Sequence, residues 1–432
     1  MCIRDSNKAD WILGINASYA MCKAMGFGNN SLGRVQTPVL AVISRRYREK
    51  ENHISSDSWP IYISLQKDGI LFKMRRTQDI PDKKSATMFF QDCKLAHQAQ
   101  ITGIRHSIKE ILPPDLLDLT QLQKEANIRY GFTASEVYDI AQSLYEKKLI
   151  SYPRTSSRYL TEDVFDSLPP IMARLLSWEL FPAAKGTASI DISSLFRHVI
   201  NAEKANVHHA IIITGIRPGN LPEKEMLVYR LVAGRMLEAF MPPCRIETTD
   251  IEAICAAQHF KAEQTRIIEA GWHDVFMNSD IIPKSRYSVN ELPEVEKGDT
   301  LNVCGRNLVH KKQLPVNPFT DAELVEYMEL NGLGTVSSRT NIIRTLVNRK
   351  YIRYSGKYIV PTPKGMFTYE TIRGKKIADT SLTADWEKQL AGLESGMITR
   401  QDFLNRIRTL AKEMTDDIFN TYSQKEKVSI LK

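Results

Sequence analysis

Residues 149–160, LISYPRTSSRYL, set Tyr152 and two arginines among small hydroxyl residues. A phenol has a reference pKa of about 10, so at neutral pH it attacks phosphorus poorly unless its proton is taken or cations offset the developing charge. Arg154 stands two residues after Tyr152. In an extended segment both project to one side, which lets the guanidinium grip a phosphate bidentately beside the phenol. Pro153 stiffens the link, and Thr155, Ser156 and Ser157 add hydroxyl donors. A Y-x-R spacing is not rare, and from local sequence alone a packed or surface tyrosine is the commoner reading.

Position must come from the flanking elements. Three stretches carry threonine followed three residues later by Gln or Glu: Thr120 with Gln123, Thr133 with Glu136, and Thr320 with Glu323. Each spacing predicts a capping box at a helix start. After Thr133, the apolar residues Val137, Ile140, Ala141 and Leu144 fall on one helical face, so this helix packs and its end delivers Tyr152 to a fixed place. Upstream, residues 9–52 read as two helices around the loop NNSLGRVQTP. From Trp59 the period becomes two, and WPIYISLQ, KDG and ILFKMRR predict a hairpin; a further strand is expected at AQITGIRHS.

Residues 113–218 read as helical, RIETTDIEAICAAQHFKAEQTRIIEAGW as strand, and the block from about 315 as mostly helical. This β, helical, β order predicts one domain inserted into another. In the last block TVSSRTNIIRTLVNRKYI reads as a helix with Ile342, Ile343, Leu346 and Val347 inward, followed by a wing-like hairpin across Ser355 and Gly356. Helix, helix, hairpin is a winged-helix arrangement, which commonly serves nucleic acid.

The 432 residues suffice for two to four domains, and 43% hydrophobic with 25% charged residues is a globular composition. No apolar run is long enough to cross a bilayer. The 58 basic against 50 acidic residues leave a net charge of +8, and a pI near 9.0 favours anionic partners. The six cysteines are scattered with no CxxC pair, which argues against zinc and for reduced thiols in a cytoplasmic protein. The opening MCIRDS joins abruptly to mid-domain sequence, so residues 1–6 read as foreign and the chain as beginning inside a longer one.

The stretch LTQLQKEANIRYGFTASEVYDIAQSLYEKKLISYPRTSSRYL, residues 119–160, resembles the active-site region of type IA DNA topoisomerases, most closely the topoisomerase III branch. Five further segments fall in that family's order along the chain. ADWILGINAS and SLGRVQTP are similar to its early segments, the second implying Ser31, Arg34 and Gln36 at a single-strand DNA groove. VHHAIIITG resembles its DHHAIIPT, whose first histidine, His208 here, handles phosphate and proton. NGLGTVSSRTNIIRTLVNRKYI implies backbone contacts from Ser338 and Arg339, and LTADWEKQLAGLESG matches a late signature. Without that context a His pair before AIII is more often a turn or core feature, Arg34 a solvated arginine, and RRYREKE a solvated helix face.

The resemblance implies an α+β multidomain, toroidal core with winged-helix-like helical domains and a β-rich arch. Its expected parts are a helical groove domain at 1–54, the arch at 55–112 and 219–311, the tyrosine domain at 113–218, and a second helical DNA-binding part at 312–432. It implies an isomerase that works without ATP. Tyr152, assisted by Arg154 and His208, joins the 5′ phosphate of a single-strand break, with Thr155 beside them at the DNA, so that strands pass and DNA is relaxed or decatenated. The implied partner is single-stranded or negatively supercoiled DNA, met by a monomer at a bacterial nucleoid or plasmid, with no membrane.

Departures qualify this. The family's N-terminal Toprim domain, with its magnesium-binding DxDxE cluster, is not in the sequence, so magnesium is expected for a full-length enzyme with ligands outside this chain. Val207, Ile213, Ser156 and Lys8 stand where the family usually has aspartate, proline, aspartate and arginine. The alternative is therefore a catalytically incomplete single-stranded DNA-binding fragment. Relaxases need a His-x-His cluster, whereas His208 and His209 are adjacent, and recombinases place their tyrosine near the chain's end.

Overall fold

The computed structural model describes residues 2–25, 30–178, 180–181, 197–205, 208–276 and 292–430. Helices α1 (Cys2–Met25) and α2 (Gln36–Glu51) lead to strands β1 (Asp57–Ser58), β2 (Ile61–Lys67) and β3 (Ile70–Arg76), helix α3 (Lys83–Leu95) and strand β4 (Gln98–Ile111). Helices α4 (Leu119–Tyr130), α5 (Ala134–Glu146), α6 (Glu162–Asp166), α7 (Leu168–Ser177) and α8 (Glu223–Phe240) follow. The chain returns through β5 (Cys244–Cys255), β6 (Gln258–Glu269), β7 (Thr300–Leu308) and β8 (Lys311–Lys312). It ends with α9 (Asp321–Leu330), α10 (Val336–Asn348), the hairpin β9 (Ile352–Ser355) and β10 (Tyr358–Pro361), then α11 (Pro363–Ile372), α12 (Ser381–Glu394) and α13 (Arg400–Ile430).

The β arch expected from the sequence is a closed barrel, in the order β2-β3-β6-β5-β4-β7. Alternation sends Ile61, Ile63, Leu65, Phe72, Met74, Ile251, Ala253 and Phe260 into one core. Its predicted first hairpin turns at Asp68 and Gly69, whose φ of 50° and 80° give the paired left-handed turn that suits a twisted two-strand ribbon. Helix α3, which the sequence reading passed over, starts where the Asp82 carboxylate accepts from Ser85 N at 2.7 Å and lays Ala86 and Cys93 on the barrel.

Helices α4, α5, α7 and α8 share a core around Leu122, Val137, Leu144, Leu168 and Leu231. Helix α8 falls inside 219–311, the stretch expected to be the returning arch, yet packs in this helical core from Val228 to Phe240. It is buried nearly all round there, and its Gly234 has no room for a side chain: a Cβ would lie 2.1 Å from Phe276 Cζ. A third core joins α2 with α9, α10 and the β9–β10 wing through Val39, Ile43, Leu324, Ile343 and Ile359. A fourth joins α1 to α12 and α13.

The helix starts confirm two of three expected boxes. Thr133 with Glu136 and Thr320 with Glu323 each exchange both bonds. The third is overturned: Asp118 caps α4, accepting from Gln121 N at 2.7 Å. Thr120 and Gln123 are buried against α10 instead. Gln123 Nε2 donates to Ala134 O at 2.9 Å and Thr340 Oγ1 at 2.8 Å, and Arg339 Nη1 donates to Thr120 Oγ1 at 2.8 Å. These bonds belong to a polar seam between the α4–α5 pair and α9–α10. Ala134 N, opening α5, donates to the Asp321 carboxylate at 3.1 Å, Tyr354 OH donates to the same oxygen at 3.0 Å, and Arg344 pairs with Asp139 at 2.8 Å. Among the described residues no helix is long and apolar enough to cross a membrane.

Candidate active site and nucleic-acid interface

Tyr152 is placed by two extended segments stitched side by side. Helix α5 ends, Lys148 turns the chain with φ 59°, and Ile150 then pairs antiparallel with Ile213. Ser151 N donates to Ile212 O at 2.8 Å, while the Ser151 hydroxyl accepts from Ile212 N at 3.0 Å and donates to Ala210 O at 3.1 Å. Thr155 Oγ1 donates to His208 O at 2.7 Å. On the other flank Ile211 N donates to Leu117 O at 2.7 Å. The result brings the Tyr152 ring to 4.6 Å from the His208 ring, tilted by 47°, with Tyr145 edge-on at 5.4 Å. His208 is exposed and Tyr152 half-buried, so both are open to solvent.

Arg154 is exposed and lies along the same face of α5 as Tyr152. Its guanidinium sits 5.2 Å over Tyr138 and donates to Gln142 Oε1 at 3.2 Å. Tyr138, Gln142 and Tyr145 form one stripe, with about 10 Å of helix between its ends. One ordinary hydrogen bond and one ring contact hold the exposed arginine there.

Thr155 does not present an open hydroxyl. It is 3% exposed, and its oxygen also accepts from Ser157 N at 3.0 Å, so it braces the His208 loop instead of facing DNA. Ser156 and Lys8 are exposed, Ile213 is buried against Ile150, and Val207 lies outside the described residues. Arg158, not singled out from the sequence, binds Asp118 at 2.8 Å and reaches Glu329 on α9 at 3.6 Å. Burial pushes the Asp118 carboxyl up, against the pull of Arg158 and the Gln121 amide.

The remaining expected residues gather at the start of α2 and at α10. Arg349 Nη1 donates to Ser31 Oγ at 2.7 Å and to Gln36 Oε1 at 2.8 Å, joining two expected groove residues through a third that no spacing marked. Lys364 lies 4.4 Å over Tyr351 and donates to Arg349 O at 3.0 Å; burial and the Arg349 charge hold its amine below the usual range. Arg34, by contrast, is 9% exposed, paired to Asp10 at 2.7 Å and stacked 4.9 Å over Trp386. Ser338 Oγ accepts from Thr335 N at 2.8 Å as part of the α10 cap. Arg339 is 7% exposed in the seam, bonded to Thr120 and 3.4 Å from Glu329, and burial lowers its pKa. Among the described residues no three His, Cys, Asp or Glu side chains converge as a metal site.

This geometry is accompanied by sequence similarity along almost the whole chain. The profile of a family described as DNA topoisomerase matches residues 6–405. The chain belongs to the type IA DNA topoisomerases. A relative from Bacillus licheniformis named DNA topoisomerase 3 is 31% identical over 436 aligned residues, covering 95% of this chain and 59% of its own length. One of the same name from Bacillus subtilis is 30% identical over 446 residues, covering 96% and 60%. This topoisomerase chain thus spans about 59% of the length of the curated relatives it matches. The full-length topoisomerase I structure from Thermotoga maritima superposes with a TM-score of 0.73 over 97% of this chain and 68% of that one, at 22% identity. The α+β topoisomerase fold, barrel and helical parts together, is therefore shared.

Proposed function

We propose that this chain carries the DNA-cutting tyrosine of a type IA topoisomerase. Tyr152 Oη attacks a backbone phosphorus of single-stranded DNA, its proton leaves, and the 3′ oxygen departs, so that the 5′ phosphate stays on the tyrosine; the reverse attack reseals the strand. His208, ring against ring with Tyr152, handles phosphate and proton there. Arg154 swings from Gln142 to the phosphate. Ser31, Gln36 and Arg349 hold the backbone of the same strand, and Ser338 meets it at the α10 start. Arg34 and Arg339, both deep, shape the groove through Asp10 and Thr120. Negatively supercoiled DNA, which opens single strands readily, is the natural substrate, met by a monomer.

The observation that carries this reading is the Tyr152–His208 ring contact at 4.6 Å, made across 56 positions of sequence by the Ser151 and Thr155 bonds. The magnesium that the family resemblance implies finds no ligand set among the described residues, and no step here runs through it. The test is incubation with an end-labelled single-stranded oligonucleotide and magnesium, followed by denaturation. Wild type gives a labelled adduct through the 5′ phosphate, and Tyr152→Phe gives none; adduct from the Phe variant refutes the assignment. Salt-sensitive binding with no adduct from wild type favours the binding-fragment alternative.

A further inference from the structure

Two adjoining clefts of about 440 and 400 Å³ open on the side of α2 away from the Ser31–Gln36–Arg349 groove. Both are lined by Arg45, Tyr369 and Arg373; Arg48 closes one, and Lys375 and Lys376 line the other. Three of these cations have firm partners: Arg48 pairs with Glu370, Lys375 with Asp417 at 2.8 Å and Lys376 with Glu413 at 3.3 Å. Arg45 and Arg373 do not. Their nearest carboxylates, Glu49 and Glu370, stand at 3.9 Å, and their side chains are 58% and 57% exposed. Both guanidinium forks are therefore open to a planar or tetrahedral anion.

Both side chains line the two clefts. Gly374 has φ +80° and nothing within 4 Å of where a Cβ would stand, so the chain reverses between Arg373 and Lys375 and leaves the mouth clear. Arg45 follows Gln36 by nine residues of unbroken helix. Nine residues are about 2.5 turns and 13.5 Å of rise, so Arg45 faces away from Gln36, and one strand lying in the first groove cannot occupy both.

The geometry points to a second nucleic-acid site, in which Arg45 and Arg373 clamp backbone phosphates of a DNA segment other than the one at Tyr152. Phosphate contact suits the two exposed guanidinium forks, which match a phosphate bidentately, while Glu49 and Asp379 in the walls confine an anion to the arginine side. An enzyme that moves one segment past another needs such a hold, and in this the inference rests on the function proposed above.

The test uses the whole chain saturated with a short unlabelled single strand, then titrated with a labelled 20-nucleotide single strand or a duplex, followed by anisotropy across salt concentrations. Wild type binds the second probe. The double variant Arg45→Ala with Arg373→Ala binds it more weakly, with a salt slope smaller by about 1.4 for the single strand or about 1.8 for the duplex, as two lost phosphate contacts require. Its affinity for the short strand and its melting temperature stay at wild-type values, and Arg45→Lys with Arg373→Lys recovers part of the loss. An unchanged slope, an equal loss at the short strand, or no second event in wild type overturns the site. Tyr152→Phe binds the second probe normally, so failure of the adduct experiment and failure of this one are separable.

Discussion

Asp321 is the most consequential ionisable group in the seam between α4–α5 and α9–α10. It is 2% exposed, and burial raises its carboxyl from the ordinary 3.8 to about 6, the Ala134 amide and Tyr354 hydroxyl only partly opposing the shift; Glu136 adds to it. A carboxyl raised on folding holds its proton more tightly in the native state. Its contribution is thus full at low pH, is lost as pH climbs from 3.8 to about 6, and the cost is constant above. At 1.36 kcal/mol per pH unit, ionisation costs the folded seam about 3 kcal/mol. Asp321→Asn keeps an oxygen for both donors and cannot ionise. Urea midpoints of wild type and variant, compared at constant m-value, therefore diverge with pH. The stability difference moves by about 2.4 kcal/mol in favour of Asn between pH 4 and pH 8, about 0.6 kcal/mol having gone already by pH 4, and any pH-independent offset from the amide cancels. A difference that stays flat over that range refutes the argument, because it would mean that Asp321 ionises in the folded protein as readily as in the unfolded chain.

Thr155→Val keeps the shape but leaves His208 O and Ser157 N without the hydroxyl, costing about 1–3 kcal/mol. Single-turnover adduct formation slows while single-strand affinity holds, and Thr155→Ser restores the rate. Gly234→Ala drives a methyl into Phe276 and Phe181 and lowers stability by about 1–3 kcal/mol or more, seen as a depressed melting temperature.

Much of the fold was legible because local and tertiary demands agree. The hairpin at Asp68–Gly69, the boxes at Thr133 and Thr320 and the wing after α10 each follow from short patterns that the packed structure keeps. The pattern at Thr120 failed for a tertiary reason: the seam took Thr120 and Gln123 as partners for Arg339 and Thr340, and left Asp118 to cap the helix. Helix α8 lies in the stretch that the resemblance gave to the returning arch, and nothing local says against which core an apolar helix will lie. The candidate site divides in the same way. Tyr152 and Arg154 stand out by type and spacing, whereas the partnership of Tyr152 with His208 depends on a pairing of Ile150 with Ile213 that no window of sequence contains. Arg349 sits in an ordinary basic run and becomes notable only when Ser31 and Gln36 arrive beside it.

The stitching of residues 149–155 to 208–214 has a kinetic consequence. Ser151 and Thr155 tie the two segments by bonds that reach the backbone, in the same body as the α4–α5–α8 core. In the function proposed above, any movement of that body carries tyrosine and histidine as passengers in one vehicle, with the cut end riding beside them. Resealing would then begin with its proton carrier already on board, and the interval between cutting and rejoining would follow how soon the vehicle returned to the other end of the break.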